Sequence, residues 1–316
     1  MVAAVSATLA AAWPFDAAGS EAHRLVSVWW LLIALGTAVA VLVLAAVVVA
    51  LFRRPRDADE DAKASTHRRF IIGGGLVLPV VVLSIVAVAT VDSTATLRRP
   101  PTADALRVEV VAEQWFWRLD YPDAGVTTAN ELRLPVGRPV ALHLRSNDVV
   151  HSFWVPQLAG KLDVVPGSPA TLTFTPQATG TFRGECAEFC GLQHANMNFV
   201  VDVLPQADFD QWLDAHRNPP PAPSDPQARA GRDDFASLAC AGCHTIRGLT
   251  DGKVGPDLTD VGGRAQLGAG VIENNADNLA AWINNARAFK AGAKMPPLVL
   301  TADQITDLVA YLRTLR

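Results

Sequence analysis

Charge and sulfur are both scarce in this chain. Only 18% of its 316 residues are charged and the net charge is −4. No basic stripe is available to neutralise a phosphate backbone, so nucleic acid is not among its partners. The whole thiol inventory is four cysteines. On an oxidising side of a membrane, four cysteines would ordinarily read as two disulfides. Their spacing argues against it: they fall as C-x3-C (Cys186, Cys190) and C-x2-C-H (Cys240, Cys243, His244), each pair beside potential metal ligands. Methionine is rarer still. Met1 is the initiator, so a thioether ligand can come only from Met197 or Met295. The chain has no internal repeat.

Hydrophobicity is plentiful but unevenly spread. Residues 26–52, "VSVWWLLIALGTAVAVLVLAAVVVALF", carry no charge, and neither do residues 70–91, "FIIGGGLVLPVVVLSIVAVATV". About 20 apolar residues span a bilayer core, so residues 25–92 are expected to hold two transmembrane helices. Trp29 and Trp30 suit an interfacial anchor for the first. The stretch between the runs, "RRPRDADEDAKASTHRR", has six Lys/Arg, whereas the segment before the first run has only Arg24. The loop should therefore face the cytoplasm. Residues 1–24 and everything after the second helix then lie on the outer side of a multi-pass plasma-membrane protein.

Beyond the helices the pattern changes twice. Residues 105–204 alternate β-formers with Pro and Gly punctuation, as in "LRVEVVAEQWFWRLDY" and "SPATLTFTPQATGTFRGE", which predicts an all-β sandwich or small barrel. Residues 205–227, with "NPPPAPSDPQA", read as a proline-rich linker. Residues 228–316 combine Gly-rich loops with helical periodicity in "NLAAWINNARAF" and "ADQITDLVAYLRTL", predicting a small all-α domain.

"CAGCH" is the haem-attachment signature. Its two thiols can add to the haem vinyls while His244 ligates iron. A thioredoxin-like pair would want a βαβ context, and a zinc site would want a second ligand pair; neither is present. Iron of this kind commonly takes a methionine on its other face, and Met295 in "KMPPL" is the only sensible candidate. The segment resembles class I cytochrome c domains, which also show "GPDL" (Gly255–Leu258) between these points. The resemblance implies covalent haem c, with Pro256 packed near His244.

"CAEFCGLQHANM" (Cys186–Met197) sets two thiols, an imidazole and a thioether within one short segment. Together they select a soft transition metal, copper foremost. A disulfide loop, a copper-delivery site and an electron-transfer centre all remain open from these residues alone. A second histidine must come from elsewhere, and His151 in "NDVVHSFWVP" is the candidate.

Here the chain is similar to subunit II of haem-copper cytochrome c oxidases, whose pattern C-x-E-x-C-x3-H-x2-M is met by Cys186, Glu188, Cys190, His194 and Met197. With the haem segment behind it, the resemblance is to the caa3-type oxidases. It implies a cupredoxin-like sandwich with a binuclear CuA centre: Cys186 and Cys190 bridging two coppers, His151 and His194 capping one each, Met197 a weak ligand and the Glu188 carbonyl another. It also implies that the Glu188 side chain reaches a magnesium ion at the subunit I interface, and that Trp115 in "QWFWR" receives electrons nearest the surface. Subunits I and III, a soluble cytochrome c or bc-complex donor, and the lipid bilayer are the implied partners. One departure stands out: "HRRFIIGGG" lacks the carboxylate that many family members carry near the start of the second helix. Two other functions compete with this one, the CuA-bearing subunit of a nitric oxide reductase and a membrane copper chaperone.

Overall fold

The computed structural model describes residues 15–52, 60–97 and 100–316. Most of the expected outer segment (residues 1–14) and the first part of the basic loop (residues 53–59) lie outside the described residues. The chain divides into two units, one holding the long apolar helices and the other the β and helical domains.

In the first unit, α1 covers Ser20–Phe52, and α2 (Glu60–Ile72) continues through a π-turn at Gly73–Val77 into α3 (Leu78–Leu97). The stretches long and apolar enough to cross a membrane run Ser20–Phe52 and Ala64–Ala95. Both exceed the uncharged runs because a helix continues into polar flanks while its backbone ladder stays closed. The π-turn precedes Pro79, whose ring would collide with the carbonyl four residues back and which offers no N–H. Leu44, Leu51, Leu76 and Leu83 are all exposed. Helices apolar on every side suit lipid rather than a protein core.

The β domain packs two five-stranded sheets. Its strands are β1 (Leu106–Glu113), β2 (Phe116–Tyr121), β3 (Val126–Ala129), β4 (Glu131–Pro135), β5 (Val140–Ser146), β6 (His151–Trp154), β7 (Leu162–Val164), β8 (Ala170–Phe174), β9 (Gly180–Cys186) and β10 (Asn198–Leu204). The sheet orders are β3-β2-β1-β5-β8 and β4-β10-β9-β6-β7. Alternation sends Val108, Val110, Trp117, Leu119, Leu142 and Leu144 into the core from the first sheet. Phe153 and Phe199 meet Trp117 from the second, with ring centroids 5.5 and 5.4 Å away.

The expected linker is only partly a linker. Helix α4 (Gln206–Arg217) occupies its first half, because Phe209, Trp212 and Leu213 recur at helical spacing and find a surface to cover. Phe209 is fully buried beside Tyr121, and Arg133 stacks over Trp212. Burying one such aromatic contributes about 1.5–3 kcal/mol, enough to tie α4 to the sandwich.

The helical domain begins at α5 (Pro226–Ser237), with Pro at the first turn and an Asp225 cap on Ala228 N–H. Then come the short α6 (Cys240–Cys243), α7 (Ala276–Phe289) and α8 (Ala302–Leu312), the last started by a Thr301/Gln304 capping box. Helices α5 and α8 cross so closely at Gly231 that a Cβ there would lie 1.8 Å from the Asp307 carbonyl oxygen. The β and helical domains meet through polar bonds. Thr128 Oγ1 donates to Asp260 (2.8 Å), Ala265 N to Glu131 (2.8 Å) and Asn198 N to the Ala269 carbonyl (3.0 Å). Asp260 is itself ion-paired with buried Arg264, whose charge overcomes the burial that would otherwise raise the Asp260 carboxyl and holds it below its ordinary range.

Candidate metal centre and haem pocket

Sheet topology assembles the first site. β9 ends at Cys186, the loop 187–197 returns to β10, and β6 lies on the other side of β9 with Phe153 paired to Cys186. His151, at the start of β6, is thereby delivered beside the loop from 35 residues upstream. Two backbone bonds close the loop, Cys186 N–H to the Met197 carbonyl (3.1 Å) and Ala187 N–H to the Ser152 carbonyl (3.0 Å).

The donor atoms converge on two sulfurs. Cys186 Sγ and Cys190 Sγ are 3.7 Å apart. His151 Nδ1 lies 3.8 Å from Cys186, while His194 Nδ1 and Met197 Sδ lie 3.7 and 3.9 Å from Cys190. The Glu188 carbonyl oxygen is 3.3 Å from Cys186 Sγ, and the Glu188 side chain is exposed. His151, Cys186 and Cys190 are all buried, with ligand atoms within 4.8 Å of one another. Both cysteines are free. Contact with Cys190, together with His151, pulls the Cys186 thiol well below its usual range, whereas the same contact and burial push Cys190 up. One thiolate is thus already favoured, and two soft sulfurs flanked by imidazoles and a thioether are a donor set that fits copper.

Three supporting residues carried no sequence signal strong enough to single them out. Asp148 Oδ1 accepts a hydrogen bond from His151 Nε2–H at 2.9 Å, which leaves Nδ1 free to face the sulfurs. Burial works to lower the His151 pKa, but Cys186 and Asp148 outweigh it and raise it. Asp148 also accepts the Gln114 and Val149 N–H groups. A carboxylate three residues before a candidate ligand histidine was the available clue. Gln114 and Trp115 both donate side-chain N–H to the Cys190 carbonyl, at 2.8 and 3.0 Å. Lys290 comes from the other domain. Trp117, the other tryptophan of "QWFWR", is fully buried, 6.1 Å from the His151 ring.

The second site is a cavity lined by Cys240, Cys243, His244 and Met295 among apolar side chains such as Leu279, Trp282, Ile283 and Leu308. His244 Nδ1 is held by the Pro256 carbonyl at 2.8 Å, which directs Nε2 away from that carbonyl. Burial lowers its pKa, favouring the neutral imidazole that ligates a metal. Gly255 leaves room for the ring, since a Cβ there would stand 2.5 Å from it. Two thiols, an oriented imidazole and a thioether around one apolar cavity fit covalent haem. Trp115 and Phe116 of the β domain line the same cavity, so Trp115 lies between the two sites.

Comparison with known proteins agrees with this pairing. The family model of the cytochrome c oxidase subunit II periplasmic domain matches residues 124–204, and that of cytochrome c matches residues 228–316. Cytochrome c oxidase subunit 2 of Alkalihalophilus pseudofirmus is 34% identical over 276 residues, 85% of this chain and 80% of that protein. The chain belongs to the cytochrome c oxidase subunit 2 family. The Bacillus sp. PS3 subunit 2 is 35% identical over 260 residues, covering 76% and 72% of the two chains. The solved periplasmic domain of the Bradyrhizobium japonicum subunit II shares 28% identity, with a TM-score of 0.36, over 37% of this chain and 96% of that one. As a cytochrome c oxidase subunit 2 with a cytochrome c domain, the protein is a component of a haem-copper oxidase and serves electron transport into it. Copper and haem c are the cofactors these two domains imply, and subunit I is the implied partner.

Proposed function

We propose that this chain is the electron-accepting subunit of a proton-pumping terminal oxidase. It takes electrons from a soluble cytochrome c or a bc complex at its haem c domain, passes them to a binuclear CuA centre, and delivers them to subunit I, where O2 is reduced to water. The chain divides accordingly into an outer segment (1–24), two membrane helices (25–92), the CuA domain (105–204), a connector (205–227) and the haem domain (228–316). The oxidase, with subunits I and III, sits in a bacterial plasma membrane with both cofactor domains outside. Cys186 and Cys190 would bridge the coppers, with His151, His194, Met197 and the Glu188 carbonyl completing them. The exposed Glu188 carboxylate would reach a magnesium ion at the subunit I interface. Cys240 and Cys243 would attach the haem, with His244 and Met295 ligating its iron. The cofactors supply reversible one-electron chemistry. The protein contributes a rigid β scaffold that changes little on redox, and an indole, Trp115, hydrogen-bonded to the backbone of Cys190.

The observation that carries this reading is the convergence of four further donors on two sulfurs 3.7 Å apart, in one compact unit with the haem cavity. Full-length protein should show a mixed-valence copper signal shared by two nuclei, together with a low-spin c haem. Cys186→Ser or Cys190→Ser should abolish the copper signal and leave the haem bands unchanged; copper binding that persisted would sink the assignment. A single labile copper without haem would favour a copper chaperone. A co-purifying nitric-oxide-reducing subunit would replace the terminal acceptor while leaving the two sites as assigned.

A further inference from the structure

Lys290 is the least expected buried group in the helical domain. It caps the C-terminus of α7, its backbone N–H bonding to the Ala286 carbonyl at 2.9 Å, and it is only 4% exposed. Burial works against its ammonium and lowers its pKa, while the backbone carbonyls around it favour the charged form. An unpaired buried ammonium would be costly, yet this one has three donors matched to three acceptors. Nζ donates to the carbonyl oxygens of Trp115 (2.8 Å), Asn196 (2.7 Å) and Gly268 (2.7 Å). Trp115 borders the haem cavity, Asn196 lies between the predicted copper ligands His194 and Met197, and Gly268 belongs to the helical domain. Charge-assisted bonds of this kind are about twice as strong as neutral ones.

Resting on the functional reading above, we infer that Lys290 is a positioning residue that clamps the haem domain onto the Trp115 face of the CuA domain and fixes the path between the two centres within one chain. Neighbouring contacts point the same way. Gln193 Nε2 donates to the Ala291 carbonyl at 2.9 Å, and a Cβ on Gly292 would stand 3.4 Å from the Trp115 ring. The haem domain thus packs against Trp115, which is left only partly exposed. When bound, the two cofactors would supply one-electron transfer, with electrons from the external donor and no bond made or broken. Lys290 contributes geometry, not a redox step.

The test uses the purified oxidase complex carrying Lys290→Met, with Lys290→Arg as the donor-retaining variant. Haem c is reduced by a flash-activated reductant and the copper band is followed. The Met variant should transfer to copper at least about tenfold more slowly, since small misplacements are costly in positioned reactions. Its haem and copper spectra and midpoint potentials should be unchanged, and its haem-to-copper distance distribution by pulsed paramagnetic resonance should broaden. The Arg variant should transfer faster than the Met variant. A wild-type rate or an unbroadened distance in a Met variant with both centres loaded overturns the clamp and leaves the functional reading intact. A wild-type chain that binds no copper pair or no haem overturns that reading, and the clamp with it.

Discussion

Replacing Asp148 by Asn tests how far the CuA site depends on a residue that touches no metal. The carboxylate makes three bonds: Oδ1 accepts from His151 Nε2 (2.9 Å) and Val149 N (2.8 Å), and Oδ2 accepts from Gln114 N (2.7 Å). Those bonds outweigh burial and hold its pKa below the usual value. Asparagine has nearly the same shape but must turn an NH2 toward one side. Facing Gln114, it sets donor against donor and orphans an N–H, at about 1–3 kcal/mol. Facing His151, it asks the ring to surrender the Nε2 proton or to turn Nδ1 away from the sulfurs. In either pose the ring loses a charged acceptor, worth about 1 kcal/mol more than a neutral one. Loss of such orienting partners typically lowers metal affinity ~10–100-fold, or about 1.4–2.8 kcal/mol. Chelator competition on full-length protein, read from the copper absorption, measures it, with the haem bands of the same sample as an internal reference. An affinity within about twofold of wild type would refute the orienting role.

Two further outcomes are expected. Met295→Ala should keep its covalent haem but lower the midpoint potential, because the thioether raises it; a redox titration with an unchanged potential would remove Met295 from the ligand set. Asp260→Asn should cost about 3–5 kcal/mol in urea unfolding, because it leaves Arg264 buried without its charge partner. Asp260 has a folded pKa below its unfolded value, so its contribution is present at pH above about 3.9 and is lost as pH falls through the lowered value. The wild-type advantage over the variant should therefore shrink only in strong acid, and a constant difference down to that range would contradict the pairing.

Local order made much of the site legible. Cys186, Cys190, His194 and Met197 share one loop, so their offsets alone carried the pattern, and C-x-x-C-H is shorter still. His151 was reachable because a strand end with a histidine is a visible feature, although its pairing beside β9 is a property of the sheet. Helix α4 was hidden by the prolines that follow it: its apolar spacing over Phe209, Trp212 and Leu213 was present but sat in a segment read by composition. Trp115 and Trp117 share one alternating pattern, in which only the family resemblance singled out Trp115. The fold separates them, Trp117 into the core and Trp115 onto the seam with the haem cavity.

By itself the sequence determined the kinds of domain, the two apolar spans, and the candidate ligand types and their spacing, because each depends on residues within a few positions of one another. Only tertiary structure decided that the haem domain rests on Trp115 and that Lys290 holds it there. The Lys290 ammonium and the Trp115 carbonyl are 175 residues apart in the chain, and their bond exists because two domain surfaces meet at a common seam. A lysine before a loop reads as surface charge until the three carbonyls that surround it are known.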